Sequence, residues 1–451
     1  MNKFILILLS AIAGPLLAPA QSYFQQQVDY KIDVRLDDAN RSLDGDITIQ
    51  YANHSPDTLS YIWMHCWPNA YKNDRTAFSE QLLGNGRTDF YFSTEQQRGY
   101  INRLDFRVDG IEARMEDDPQ YIDIIKIVLP RPLTPGGQIT LTTPFHVKLP
   151  FNFSRGGYTN HSFQITQWYP KPAVYDNRGW HPIPYLDQGE FYSEFGNFDV
   201  HITVPKSFIV AATGRLQDST LDTPTKTLHY HQDNIHDFAW FADRHFQTKH
   251  DTLQLPSGRI IDVYAYYTPA QAKAWENATV FIKRAIRFRS ALIGEYPFEV
   301  VTAVQTKMGS TGGMEYPTIT AINVDDGPKD LDMTIEHEVG HNWFYAVLGT
   351  NERRYPWMDE GINTAYDNRY EAIHYPGSDH SRDLLDLNTR AVEHTDQPIS
   401  TPSPVFTETN YYNIAYNKTA FWMEMLRDSL GTPLFDSCMK EYFSRWQFKH
   451  R

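Results

Sequence analysis

The sequence predicts an α+β, multidomain fold, with an antiparallel β domain followed by a part richer in helices. Two patterns predict it: apolar and polar residues alternate with period two through the first half, and helical spacing begins near Tyr267. The chain has 451 residues, with 41% hydrophobic and 21% charged residues, enough apolar content for several cores. Its formal net charge of −14 disfavours a nucleic-acid partner, because such partners need basic patches.

Residues 1–20 predict a signal peptide. Lys3 precedes an apolar run from Phe4 to Leu17, and Ala18-Pro19-Ala20 fits a small-x-small cleavage site. The run is too short to span a membrane. We therefore expect an exported protein, periplasmic or secreted, with no membrane span after cleavage. The alternative is a buried N-terminal helix.

Residues 21–248 predict the antiparallel β domain. From Tyr30 to Leu36, apolar and charged residues alternate, and a second alternating run extends from Leu43 to Tyr51. Clusters of Pro and Gly separate further runs of this kind. The stretches 76–100 and 170–196 are long insertions between strands, and such loops often line a site.

Residues 249–451 predict the second domain. Thr268-Pro269 has the residues of a helix start, and this helix is expected to run to Ile293. A short strand is expected over Val300–Gln305, and another over 318–324. Between them lies the Gly-rich run GSTGGMEYP.

The stretch from Met333 to Glu360 carries the strongest chemical signal. It contains His337, Glu338 and His341 in an HExxH motif, on a helix expected to end at Gly349. Residues i and i+4 share one face of a helix, so the two imidazoles can bind one metal ion. Glu338 then lies near the ion without binding it, where a zinc hydrolase needs its general base.

A catalytic zinc site needs a third protein ligand and an open position. Glu360, nineteen positions after His341, is the best candidate, because it opens a second helical pattern after a short polar loop. Two antiparallel helices would bring it opposite the histidine pair. The alternative for this stretch is an amphipathic helix with two solvated histidines.

These residues resemble the gluzincin zinc aminopeptidases, the family of aminopeptidase N and the leukotriene hydrolase. A second matching motif is Gly312-Gly313-Met314-Glu315, although Tyr316 stands where that family usually has Asn. A third is Tyr416 in the run YNKTAFWMEML, which resembles the family's catalytic tyrosine. The resemblance extends from about Tyr30 to the end of the chain.

The resemblance implies a thermolysin-like catalytic domain with one zinc ion per chain. It implies an aminopeptidase that hydrolyses the first peptide bond of peptides with a free N-terminus, by metal-activated water. Glu338 and Tyr416 are then catalytic. Glu315 binds the substrate's α-amine, the backbone of Gly312 and Gly313 contacts the peptide, and Gln167 is a candidate second amine contact. The alternative for Gln167 is an ordinary strand glutamine.

Three other functions stay open at this point. A zinc endopeptidase shares HExxH and the downstream glutamate but lacks the amine-binding GGME. A catalytically silent, exported peptide-binding module would keep the fold without the reaction. One branch of the family hydrolyses a lipid epoxide, and no residue here points to that activity.

Cys66 and Cys438 are the two cysteines, and we expect two buried free thiols. An apolar stripe of helical spacing approaches the C-terminus: Leu434, Phe435, Cys438, Tyr442, Phe443 and Trp446. In the resembling family a further helical domain follows. We therefore expect the catalytic domain to be incomplete and the chain to be a fragment of a longer protein. The alternative is a last helix that packs on its own domain.

Overall fold

The computed structural model describes residues 23–160, 162–309, 312–323, 327–378 and 380–450. The predicted signal peptide, residues 1–20, lies outside the described residues. None of the helices described in these ranges is long and apolar enough to cross a membrane.

β-Structure dominates the first half, as the alternation predicts. Its strands are Gln27–Asp37, Ser42–Ala52, Leu59–His65, Tyr100–Asn102, Arg107–Val108, Ile111–Glu112, Arg114–Asp117, Ile124–Leu133, Gln138–Lys148, Gly157–Thr159, Ser162–Ile165, Lys171–Pro172, Val174–Asp176, Gly179–His181, Gly196–Pro205, Ile209–Ala212, Arg215–Asp222, Thr225–Ile235 and Trp240–Asp243. The short helices Trp67–Tyr71 and Ala77–Gly84 lie in one insertion.

The largest sheet is centred on strand Gln27–Asp37. This strand pairs antiparallel with Ser42–Ala52 and parallel with Gly196–Pro205, whose other neighbour is the antiparallel strand Thr225–Ile235. Alternate side chains of the central strand, such as Ile32 and Val34, are buried in the main core, while those between them face outward. The period-two pattern is thus confirmed residue by residue here.

A five-stranded sheet opens the second half. In spatial order its strands are Gln247–Gln254, Ile260–Tyr267, Val300–Gln305, Ile319–Ile322 and Gly313–Tyr316. The predicted boundary after residue 248 falls inside the first of these strands, and that whole strand pairs into this second sheet. At the opposite edge lies the GGME strand, Gly313–Tyr316, which carries Glu315 and packs against the HExxH helix, Pro328–Gly340.

Helices fill the rest of the second half. The α-helices are Ala278–Leu292, Pro328–Gly340, Ile362–His374, Ser381–Glu393, Glu408–Asn410, Thr419–Leu430 and Thr432–Trp446; 3-10 turns span Pro269–Gln271, Ala274–Asn277 and Ser403–Val405, and π-helical segments span Trp357–Gly361 and Tyr411–Lys418. The short strands Leu348–Gly349 and Lys449–His450 pair in parallel. The predicted helix from Pro269 to Ile293 is therefore two 3-10 turns followed by one α-helix.

The HExxH helix ends at Gly340 and not at Gly349 as predicted. Beyond His341 the chain forms tight turns, and Tyr345 adopts a positive φ of 147°, which no α-helix contains. Phe344 and Val347 continued the apolar spacing in the sequence, yet they are buried in this irregular turn. Because this turn is buried on all sides, most of its residues are apolar, and their spacing in the sequence also fits a helix.

One prediction near the C-terminus needs correction, the burial of Cys438. Cys66 is a buried free thiol, but Cys438 is a free thiol on the exposed side of helix Thr432–Trp446. The buried face of this helix consists of Phe435, Met439 and Phe443, whereas Leu434 is 53% exposed. The helix is held by Phe443, which packs so closely on Gly294 that a Cβ there would lie 2.4 Å from the ring.

Candidate metal centre and active site

His337 and His341 present their Nε2 atoms to one point at the base of a cleft. The last turn of the HExxH helix places the two Nε2 atoms 3.2 Å apart, with ring planes at 85°. His341 is buried and His337 is partly exposed toward the cleft. The two imidazoles thus lie on one face of the helix, as the i, i+4 spacing predicts.

Glu360 completes the donor set from the π-helical segment Trp357–Gly361. Its Oε2 atom lies 3.4 Å from His337 Nε2 and 3.3 Å from His341 Nε2. A side chain at Gly361 is excluded, because a Cβ would lie 2.3 Å from the carbonyl oxygen of Ala415. That close approach fixes the backbone beside Glu360 against the segment that carries Tyr416.

The outer nitrogen of each histidine is held by a carboxylate. His337 Nδ1 lies 2.6 Å from Asp367 Oδ2, and His341 Nδ1 lies 2.6 Å from Asp359 Oδ1. Such contacts fix the ring orientation and leave Nε2 free as a metal ligand. Neither aspartate was predicted from the sequence, although Asp359 adjoins Glu360 and Asp367 follows it by seven positions, on the same helix face.

Arg289 connects this shell to a neighbouring helix. Its buried guanidinium donates to Glu336 at 2.6 and 3.0 Å and to Asp367 Oδ1 at 2.6 Å. One guanidinium offsets only one of the two carboxylate charges, and burial, the largest influence, raises the pKa of Glu336 to about 8. Asp367 thus contacts Arg289 through one carboxylate oxygen and His337 through the other.

The donor set fits a zinc ion. Two imidazole nitrogens and one carboxylate oxygen lie 3.2–3.4 Å apart, and tetrahedral bonds of about 2.0–2.1 Å place ligand atoms about 3.3 Å apart. Glu360 Oε2 is buried and has no hydrogen-bond partner among the described residues, as expected of an atom reserved for a metal. The predicted ligands are brought together.

Glu338 lies beside this centre without joining it. Its carboxyl is buried, its Oε2 has no hydrogen-bond partner among the described residues, and it lines the cleft. Burial raises the pKa of Glu338 to about 7. A Cβ at Gly313 would lie 2.1 Å from Glu338 Oε1, so glycine is needed where the GGME strand passes this acid.

Tyr416 reaches the centre from the opposite wall. Its hydroxyl donates to Glu360 Oε1 at 2.5 Å, and its ring lies nearly parallel to the His337 ring. Burial, followed by the nearby Glu360 charge, raises its pKa well above the usual value, so the hydroxyl remains a donor. The tyrosine thus contacts the ligand shell.

Two further acids line the same cleft, which encloses about 630 Å³. Glu315 is buried on the GGME strand, and Glu190 comes from the predicted insertion 170–196. Each has one carboxylate oxygen with no hydrogen-bond partner among the described residues. Single carboxylate oxygens of Glu190, Glu315 and Glu360 lie within 4.8 Å of one another.

Glu190, which was not predicted from the sequence, is held by two arginines. Its Oε1 accepts from Arg155 Nη2 at 2.8 Å, and its backbone carbonyl accepts from Arg353 Nε at 3.0 Å. Both arginines are buried. The only sequence signal was the length of the insertion, which gave no residue.

Gln167 does not lie on this cleft. It lines a separate small cavity together with Trp67 and Tyr185, and its backbone has a φ of 52°. Its amide is buried without a hydrogen-bond partner among the described residues. Gln167 is not among the described residues that line the cleft, so its amine contact stays a prediction. Gly312 and Gly313 do line the cleft, as predicted.

The fold and this donor set define the gluzincin class, in which an HExxH pair and a glutamate from the next helix bind zinc. Residues 280–451 match the model of the peptidase family M1 domain. The matched part thus carries the sequence pattern of peptidase family M1, the family that the resemblance predicted.

Two curated yeast proteins are similar over part of their length. The chain is 23% identical over 210 residues to the alanine/arginine aminopeptidase of Saccharomyces cerevisiae, and 22% identical over 210 residues to its mitochondrial aminopeptidase 2. The match covers 42% of this chain in both cases, but only 24% and 22% of the two relatives. The chain thus spans about a quarter of the length of these relatives.

Solved structures confirm the fold over nearly the whole chain. An M1 zinc metallopeptidase from Deinococcus radiodurans superposes with a TM-score of 0.66 at 17% identity, covering 95% of this chain and 88% of that one. A mutant of the same protein bound to a Tyr-Ser-Ala substrate gives a TM-score of 0.66 at 18% identity, with the same coverage.

Proposed function

We propose that this protein is a zinc aminopeptidase acting on peptides with a free N-terminus. One observation carries the proposal: buried carboxylate oxygens of Glu190, Glu315 and Glu360 converge within 4.8 Å of one another beside the metal donors. The two yeast relatives carry the name aminopeptidase, which supports the same reading.

The convergence matches the shape of an ammonium group. An –NH₃⁺ has three donors, and acceptors about 2.8 Å from its nitrogen in tetrahedral directions lie about 4.6 Å apart. Glu190 and Glu315 each offer an unpaired oxygen, so a bound ammonium would satisfy both. Without a cation, adjacent buried carboxylates repel one another, and burial, the largest influence, raises the pKa of Glu315 well above its usual value.

The residues around the centre supply the steps of peptide hydrolysis. Zinc bound to His337, His341 and Glu360 would activate water and polarise the scissile carbonyl. Glu338 takes a proton from the attacking water and returns it to the leaving amine. The Tyr416 hydroxyl turns from Glu360 to donate to the developing oxyanion. Glu190 and Glu315 hold the substrate's ammonium and so place its first peptide bond at the centre.

The wall of the cleft behind Glu190 and Glu315 favours removal of one N-terminal residue of the substrate at a time. Arg155 and Arg353 fix Glu190, and Gln188 of the same insertion donates to the carbonyl oxygens of Ser403 and Phe406. We infer that the segments joined by these contacts close the cleft beyond the ammonium position. An extended substrate can instead leave along the GGME edge strand, where main-chain pairing is available.

The test is a panel of aminoacyl arylamides, each paired with its N-acetylated form. We expect cleavage of the free-amine substrates, loss of cleavage with a chelator, and recovery with added zinc. Glu338→Gln is the control: it should retain zinc and lose turnover. Equal cleavage of acetylated peptides would indicate an endopeptidase, and zinc binding with no cleavage of any substrate would indicate a binding module.

Residues 1–20 support a further proposal, that the chain is exported. N-terminal sequencing of the protein recovered from expressing cells tests it. A mature N-terminus at residue 21 is expected, and an intact N-terminus on the folded protein would refute it.

A further inference from the structure

A cluster of histidines and aspartates covers part of the outward face of the largest sheet, far in sequence from the catalytic residues. It contains three histidines, His201, His229 and His231, around the carboxylate of Asp199. Strand register brings them together, since His201 lies opposite His229 and Asp199 lies opposite His231. The residues between them, such as Val200 and Tyr230, point into the core.

We propose that this cluster is a second metal site, for a divalent transition-metal ion such as zinc, with Asp199, His201 and His229 as ligands. One donor atom from each of these three residues lies within 4.8 Å of the others. His229 Nε2 is 3.1 Å from Asp199 Oδ2, and His201 Nδ1 is 3.8 Å from Asp199 Oδ1. Two imidazoles and a carboxylate are the ligand types of the catalytic centre.

The outer contacts also follow the pattern of the catalytic centre. His229 Nδ1 lies 3.2 Å from Asp218 Oδ2, just as each catalytic histidine has a carboxylate on its outer nitrogen. Carboxylates in that position orient a histidine and strengthen it as a metal ligand. His231 shows the same arrangement, with Nδ1 3.7 Å from Asp199 Oδ2 and Nε2 3.0 Å from Asp233 Oδ1, and is available as a fourth ligand.

The charge of the cluster favours a cation. Asp33 lies 3.3 Å from His201 Nδ1, so four carboxylates surround three histidines. The rings of His201 and His229 stack at 4.3 Å, a distance at which two protonated rings would repel each other. Lys31 faces the same side in register with Asp199 but forms no ion pair with it among the described residues.

Ligand side chains at this site can close around an ion. Their exposed fractions are 38% for Asp199, 32% for His201 and 20% for His229, which leaves the side chains room to move. The two rings stack 10° from parallel, so one of them must rotate before both can direct a nitrogen to the same ion. Surface ion pairs between such groups contribute little to stability, so they do not explain so dense a cluster. Metal binding must also displace protons from the histidines. Burial lowers the pKa of His229, but Asp199 and Asp218 outweigh burial and raise it.

The test is a zinc titration of the zinc-loaded enzyme, followed by calorimetry and by metal analysis after desalting. We expect the wild type to bind a second equivalent of zinc. In His229→Ala and Asp199→Ala this second zinc should bind at least about tenfold more weakly. Peptidase activity should be unchanged in both variants. The second site should also weaken as the pH falls from 8 to 6, because its histidines must be neutral.

His250→Ala is the matched control. His250 also lies on an exposed strand and pairs with one aspartate, Asp262, at 2.8 Å, but among the described residues it belongs to no group that could hold a metal ion. This variant should keep the second equivalent. A single zinc in the wild type, or a second zinc that His229→Ala and His250→Ala affect equally, would overturn the proposal.

Discussion

The Nδ1 atom of His337 lies 2.6 Å from Oδ2 of Asp367, and the other oxygen of Asp367 lies 2.6 Å from Arg289. One carboxylate thus joins a candidate zinc ligand to a buried arginine on another helix. The contact fixes which nitrogen of His337 faces the cleft and increases its basicity.

We expect Asp367→Asn to weaken zinc binding by about 10–100-fold, because the outer nitrogen of His337 loses its charged partner. Competition with a chromogenic chelator measures the change. Asp386→Asn is the control, since Asp386 forms an exposed ion pair with Arg390 on a different helix. Equal zinc affinity in Asp367→Asn and Asp386→Asn would contradict the role assigned to Asp367.

Gly313→Ala should lower kcat while zinc stays bound. An alanine Cβ would lie 2.1 Å from Glu338 Oε1, so the acid must move from its position beside the centre. A displacement of this size in a catalytic group costs up to about 100-fold in rate. Gly84→Ala is the control, because a Cβ there meets no atom within 4 Å. Wild-type kcat in Gly313→Ala would show that Glu338 does not need its observed position.

Much of this metal centre can be predicted from the sequence, because its zinc ligands lie close to one another along the chain. The HExxH pair needs only one helical turn, and Glu360 lies in the next helical segment, nineteen positions after His341, so spacing along the chain predicts both. The connection between them is longer than the predicted loop, because the first helix ends at Gly340. Arg289 and Glu190 are different. They reach the centre from a helix and an insertion distant in the sequence, and only tertiary packing brings them there. Gln167 was predicted from a short motif alone; it lines a separate cavity, and its contact with the amine stays a prediction.

Tyr416→Phe should lower kcat by about 10²–10³-fold, the usual effect of losing one oxyanion donor. Zinc content should not change, because Glu360 keeps its contacts with both histidines. Tyr412→Phe is the control, since the Tyr412 ring adjoins Tyr416 and lines the same cleft. If both variants keep wild-type kcat, Tyr416 takes no part in the chemistry.

Glu190→Gln and Glu315→Gln should each weaken selection for a free amine. A hydrogen bond to a charged group contributes about 1.5–3 kcal/mol, so kcat/KM on free-amine arylamides should fall by about 10–100-fold. Cleavage of acetylated substrates should change little in either variant. Glu408→Gln, an exposed acid at the rim of the cleft, is the control.

The two acids can be separated by this measurement. Loss of selection in Glu315→Gln but not in Glu190→Gln would remove Glu190 from the ammonium site and leave the proposed activity intact. Unchanged selection in both variants would contradict the ammonium site itself.

His236 should make the folded protein sensitive to acid. Its ring is buried against Phe195 and Tyr345, and Nε2 lies 3.0 Å from the carbonyl oxygen of Tyr345. Burial lowers the pKa of His236 to about 4. An unfolded histidine titrates near 6.5. Between these values the unfolded chain binds a proton that the folded chain does not, so the free energy of unfolding falls as the pH falls.

The stabilising contribution of neutral His236 is thus fully present above about pH 6.5 and is lost as the pH falls toward 4, by at most about 3 kcal/mol. Urea unfolding at pH 7 and pH 4.5 measures it in the wild type and in His236→Gln, whose amide can still donate to Tyr345. We expect a smaller loss on acidification in this variant. His245→Gln, at an exposed histidine, should behave as the wild type. Burial also lowers the pKa of His65, so some acid sensitivity should remain in His236→Gln. An identical loss in the wild type and His236→Gln would show that this ring is protonated in the folded protein.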